Sequence, residues 1–200
     1  MIQHDVRPLQ PLRIVAVDPG TETVGVSLLE LCPVTLTKTL IESYTIHASA
    51  LAYHWDGIMP EGYNREYRLQ GIFSHLWHYF NNTHPTVVVF EDNYLRHSPK
   101  SYKALIESVC AIKQAVWHYN PTTPFYAVTP MQAKACVNAT KKASDKELVR
   151  KGLKAYTGLV TTPGYIDSLD EHSVDSVAIG LYACEQIEAA WKEITWTINK

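Results

Sequence analysis

Hydrophobic residues follow two rhythms along this chain, one of period two or continuous and one near 3.6. The run RIVAV, 13 to 17, is short, apolar and β-branched, as a buried strand is. TVGVSLLE from Thr23 and the Thr-rich TLTKTLIESYTI from Thr35 to Ile46 predict two more strands, joined by short links into an antiparallel meander. Tyr67, Ile72, Leu76 and Phe80 then recur at helical spacing and predict a helix over 64–80. TVVVF, 86 to 90, is the clearest buried strand, and it runs straight into Glu91 and Asp92. Leu105, Val109, Ile112 and Val116 mark one face of a helix that Pro99 opens and that reaches about residue 118. FYAV, 125 to 128, predicts a further strand, and Thr129 with Pro130 reads as the N-cap and first turn of a helix over TPMQAKACVNA. Ser144 and Glu147 form a capping box for a helix ending near Gly158, and a last helix covers 170–192. HASALAYHWDGIMPEG, 47 to 62, follows neither rhythm.

Residues 1–12, with Pro8 and Pro11, predict an irregular arm before a single α/β domain over 13–200. Two hundred residues of which 46% are apolar suit one domain with a sizeable core. No apolar run approaches the ~20 residues of a membrane span, and MIQHDVRPLQPLR has no apolar stretch of secretory type, so the expected location is the cytoplasm. Cys32, Cys110, Cys136 and Cys184 are scattered without zinc-like spacing and read as reduced thiols.

The net charge of -2 excludes no partner, because its distribution is uneven. Lys134, Lys141, Lys142, Lys146, Arg150, Lys151 and Lys154 crowd one stretch against Asp145 and Glu147. On the predicted helix, Lys146, Arg150 and Lys154 fall at i, i+4 and i+8, a basic stripe that suits either a phosphate backbone or an ordinary solvated face.

Four groups stand at element ends. Asp18 ends the first strand, Glu91 ends VVVF, and His172 and Asp175 lie three apart on the last helix, hence on one side of it. If the first strand and VVVF are neighbours, their ends bring Asp18 and Glu91 together under that helix. Singly each has a plain alternative: a turn for Asp-Pro-Gly, a strand end for Glu91, a surface position for His172, a lysine partner for Asp175. Asp175 fits its alternative least well, since SVDSVAIGLYA is otherwise small and apolar. Crowded carboxylates are physically reasonable where divalent cations hold them, and oxygen ligands with at most one imidazole favour Mg²⁺ or Mn²⁺.

IVAVDPGTETVGVSLLE, VVVFEDNYL and HSVDSVAIGLY resemble, in that order, the three motifs of the RuvC-like Holliday junction resolvases within the RNase H-like, or retroviral integrase, superfamily. The first matches D-P-G-x-x-x-x-G at Asp18, Pro19, Gly20 and Gly25. The resemblance spans roughly residues 13 to 185 and implies an RNase H-like fold, a central mixed five-stranded sheet flanked by helices. It implies an endonuclease of DNA recombination and repair that nicks opposing strands of a four-way junction as a homodimer; the apolar face of the 64–80 or of the 99–118 helix could supply the dimer contact or be wholly core. It also implies two Mg²⁺ (or Mn²⁺) ions, with Asp18 bridging them, Glu91 and Asp175 binding one each, and His172 ligating a metal or orienting water. Lys134 and Lys146 take the places of the family's two lysines near the scissile phosphate, and Tyr94 that of an aromatic residue contacting an unpaired base.

Arg96, Lys100, Lys103, Lys141, Lys142, Arg150 and Lys154 are then candidates for DNA contact. A compact resolvase of this type suits a phage or other mobile replicon in a bacterial cytoplasm. Three alternatives stand beside it: a related nuclease acting on branched DNA or RNA/DNA hybrids, a catalytically inactive junction-binding module, and an actin-like ATPase. The last needs a second such domain and a second Asp-Gly motif, which 200 residues do not provide.

Overall fold

The computed structural model describes residues 10–51, 64–92, 99–140 and 146–198. Its centre is a six-stranded sheet of order β5-β4-β1-β2-β3-β6. Strands β1 (Leu12–Asp18), β2 (Thr23–Leu31) and β3 (Lys38–His47) form the expected antiparallel meander. β4 (Val87–Glu91) lies parallel to β1, and β5 (Phe125–Val128) parallel to β4. The sixth strand, β6 (Leu159–Val160), was not expected: it pairs in parallel with the start of β3 at Lys38 and Thr39. Two residues are too few to carry a rhythm, so it left no mark on the pattern. The mixed sheet therefore has six strands, not five.

Alternation along the strands sorts the core into two layers. Ile14, Ala16, Val87, Val89 and Val128 face the helix α7 (Glu171–Ile198), together with Val174, Val177, Ala178 and Leu181 of that helix. Val15, Val17, Val88 and Phe90 face the other way, onto α2 (Asn64–Thr83) and α3 (Pro99–Tyr119) through Ile72, Leu76, Phe80, Ile112 and Val116. Close contact on the α7 side depends on Gly180, where a Cβ would stand 2.4 Å from Leu29 Cδ1.

A bulge alters this alternation in β3. Leu28 opposes Glu42 whereas Leu29 opposes Leu40, so Ile41 is skipped and left 45% exposed. Lys38 and Leu40 face α7 before the bulge; after it Ser43 and Thr45 do. Ser43 Oγ donates to the Ser173 carbonyl, and Thr45 Oγ1 lies 3.0 Å from Ser173 Oγ.

The remaining helices are short. α1 (Ala48–Leu51) occupies the start of the segment that showed no rhythm, and 52–63 lie outside the described residues. α4 (Pro130–Cys136) has the expected N-cap at Thr129, which also forms a capping box with Gln132, but stops before residue 137. α5 (Lys146–Ala155) ends three residues before Gly158, and α6 (Tyr165–Ser168) is a single turn. β1 begins at Leu12, inside the predicted arm, of which 1–9 lie outside the described residues. Among the described residues, no helix is long and apolar enough to cross a membrane.

Candidate active site

The strand alternation that buries Ile14 and Ala16 under α7 continues to Asp18, and the one that buries Val87 and Val89 continues to Glu91. Val17 and Phe90 are partners in the parallel pair, so Asp18 and Glu91 follow side by side at the carboxyl ends of adjacent strands. Glu91 also stands in register with Val128, after which Thr129 caps α4. These ends make one rim, the usual place for a ligand in an open α/β sheet.

The first turns of α7 lie over that rim. His172 Nδ1 is 2.8 Å from Asp18 Oδ2, and its Nε2 is 2.8 Å from the hydroxyl of Thr23. Gly25 makes this approach possible: it pairs with Asp18 in the sheet, and a Cβ there would stand 2.1 Å from the His172 carbonyl oxygen. The glycine of the first motif is thus required by helix packing. The hydrogen bond to Asp18, opposed by partial burial, holds the His172 imidazole above its ordinary pKa. Asp175, one turn further on, is pushed up to about 6, first by burial and then by the charge of Asp18, with Lys134 and His172 acting in the opposite direction. Lys134, in the last turn of α4, is therefore near enough to bear on Asp175.

Asp170, which with Glu171 precedes His172, caps α7. Its Oδ1 accepts from Thr45 Oγ1 at 2.6 Å and from the Ser173 N–H at 2.9 Å. Burial disfavours its ionisation, but these hydrogen bonds outweigh it and hold the carboxyl below its ordinary range. Glu171 Oε1 is 3.7 Å from His172 Nε2, while the N–H of Asp92 donates to the Val128 carbonyl.

The turn between Asp18 and Thr23 is anchored from three sides by groups the sequence did not single out. Arg68 of α2 donates from Nε to the Thr21 carbonyl and from Nη2 to Glu22 at 2.8 Å. The buried Ser108 of α3 donates to the Gly20 carbonyl, and Thr23 meets His172. Only Ser108 left a signal, as a small polar residue on an otherwise apolar helical face.

Three carboxylates and an imidazole are hard donors suited to a divalent cation, and a carboxyl with a raised pKa beside another carboxylate is the electrostatic situation that a cation relieves. As they stand, protons and hydrogen bonds perform that service: His172 occupies Asp18, and among the described residues no three His, Cys, Asp or Glu side chains are grouped closely enough to hold a metal.

The basic stripe is partly engaged. Arg150 Nη1 donates to the Ile166 carbonyl and Lys154 Nζ lies 2.8 Å from Asp167, so both fasten α6, although the Lys154 side chain remains 50% exposed. Lys146 begins α5 and Lys100 lies in the first turn of α3, near Lys103, whose side chain is 70% exposed. Tyr94, Arg96, Lys141 and Lys142 lie outside the described residues.

No protein-family model matches the chain, and no curated protein does. Solved structures do match. RuvC of Thermus thermophilus in complex with a Holliday junction substrate has a TM-score of 0.65 at 18% identity, covering 88% of this chain and 96% of that one. The yeast mitochondrial Holliday junction resolvase Ydc2 has a TM-score of 0.58 at 11% identity, with coverage of 94% and 88%. The Fowlpox virus resolvase, in complex with substrate Holliday junction DNA, has a TM-score of 0.53 at 14% identity, with coverage of 88% and 99%. The chain has the fold of these RuvC-like resolvases over nearly their whole length.

Proposed function

We propose that the protein is a metal-dependent, structure-selective endonuclease that resolves four-way DNA junctions by nicking opposing strands. The observation that carries this reading is the convergence of Asp18 and Glu91 on one rim, beneath a helix presenting His172 and Asp175, in a fold matched by junction resolvases. An RNase H-like relative acting on other branched DNA or on hybrids shares the acidic rim. Junction-bound neighbours with TM-scores above 0.5 favour four-way DNA.

Asp18, Glu91 and Asp175 would hold Mg²⁺ or Mn²⁺, two ions per site, with His172 completing the set. When bound, such ions supply an activated water and stabilise the leaving oxygen of a phosphodiester. Lys134, whose charge acts on Asp175, and Lys146 at the start of α5 offset charge that develops on the phosphate. Lys103, Lys154, Arg150, Lys100, Lys141, Lys142 and Arg96 would be the phosphate contacts, and Tyr94 the stacking platform for an unpaired base. A homodimer matches the two-fold symmetry of the substrate, and exposed apolar residues of α3, Ile106 and Trp117, are candidates for its contact.

The test is incubation of the protein with a labelled four-way junction and with linear duplex, with and without Mg²⁺. Paired nicks in opposing strands of the junction, dependent on Mg²⁺, are expected. Absence of junction binding at micromolar protein, or cleavage restricted to an RNA/DNA hybrid, overturns the proposal.

A further inference from the structure

The imidazole of His172 is held at both nitrogens, and its two partners differ in kind. Asp18 Oδ2, 2.8 Å from Nδ1, is a carboxylate oxygen and accepts from an Nδ1–H. Thr23 Oγ1, 2.8 Å from Nε2, is a hydroxyl, able to donate or accept by rotating about one bond. Glu171 Oε1 is also near Nε2, at 3.7 Å, beyond hydrogen-bond distance. Thr23 is a rigid support. It is the first residue of β2, opposite His47 in β3, and its carbonyl oxygen fits against Gly20 so closely that a Cβ there would stand 2.2 Å away.

We infer that Thr23 is a positioning residue for His172, fixing its ring so that Nδ1 faces the acidic rim and Nε2 faces away from it. This rests on the metal-dependent nuclease reading and deepens it. With the ring neutral and Nδ1–H donating to Asp18, the Thr23 hydroxyl donates to Nε2. Were His172 to ligate a cation through the nitrogen that faces the rim, the remaining ring proton would sit on Nε2 and the same hydroxyl would accept it. The ring need not turn between the two states, because Thr23 reverses the sense of its hydrogen bond. A group of this kind behind a histidine ligand sets its tautomer, and removing one typically costs 10- to 100-fold in metal affinity or activity.

The test compares Thr23→Val, which keeps the shape and the β-branch but lacks the hydroxyl, with Thr23→Ser, which restores the hydroxyl, both in the full chain. Three quantities are read: the ring nitrogen resonances of His172 without metal, Mn²⁺ affinity by calorimetry, and kcat and KM on a four-way junction. In Thr23→Val we expect altered tautomer populations of His172, Mn²⁺ affinity about tenfold or more lower, and reduced kcat at unchanged junction KM. Thr23→Ser recovers all three. Wild-type resonances and Mn²⁺ affinity in Thr23→Val overturn the inference, as does equal impairment of both variants, which marks a packing role. A wild-type protein that neither takes up Mn²⁺ nor cuts a junction removes the nuclease reading instead, and the metal-free resonances still decide the role of Thr23.

Discussion

His172 Nδ1 meets Asp18 Oδ2 at 2.8 Å across 154 residues of sequence, joining the first turn of α7 to the end of β1. The carboxylate accepts a hydrogen bond from the ring, and this holds the imidazole above its ordinary pKa. Replacing Asp18 by Asn keeps the shape but removes the charge. Junction cleavage is expected to fall by about 100-fold or more, while junction affinity in a gel-shift titration stays within a few-fold of wild type. Equal cleavage by wild type and Asp18→Asn removes Asp18 from the chemistry.

Protons and cations should compete at this rim. Asp175 has a folded pKa of about 6 against an ordinary value of 3.8, so the folded state binds its proton more tightly and stability falls as pH rises from about 4 to about 6. The contribution is at most about 3 kcal/mol. His172, also raised, adds stability that is present below its ordinary value of 6.5 and lost as pH rises through its folded pKa. Both act in the same direction, so metal-free protein should lose stability as pH rises from about 4 and onward through the folded pKa of His172. Thermal stabilisation by Mg²⁺ should grow over that interval. Asp175→Asn is expected to flatten the part of the metal-free profile below about pH 6 and to abolish most of the Mg²⁺ shift in a melting experiment.

Gly25→Ala tests the close approach of helix and strand. An added Cβ at 2.1 Å from the His172 carbonyl oxygen forces α7 outward. A stability loss of about 2 kcal/mol or more in chemical denaturation is expected, with cleavage reduced beyond what the lost folded fraction explains. Undiminished cleavage per folded molecule would show that α7 need not lie so close.

Away from the rim, the amine of Lys38 is 2.7 Å from Glu188 Oε2 and only 8% of the side chain is exposed. Lys38→Met leaves Glu188 with Lys192 as its partner at 2.5 Å. A loss of about 3 kcal/mol is expected in denaturant titration, at the lower end for a broken buried pair. Cleavage by the folded fraction should not change, which separates this ion pair from the catalytic rim.

The convergence of the candidate residues was more legible in the sequence than their supports, for a physical reason. Asp18 and Glu91 end β-branched runs whose alternation carries over to the terminal carboxylate, and His172 with Asp175 share one side of a helix, so local patterns were enough to bring them together. Thr23, Arg68 and Ser108 act through one or two polar contacts each to partners far away along the chain, and no periodicity encodes such a contact. The bulge at Ile41 was hidden too. It changes which side of β3 meets α7 partway along the strand, and TLTKTLIESYTI is rich enough in Thr and Ser to look similar in either register.

The parallel pairing of β1 with β4 and the docking of α7 have a consequence in time as well as space. Asp18 acquires a neighbouring carboxylate only after some seventy more residues have been added and folded, and acquires His172 only when α7 closes over the sheet. A partly made or partly folded chain therefore carries these acids apart from one another, and the candidate site exists only once contacts distant in sequence have formed.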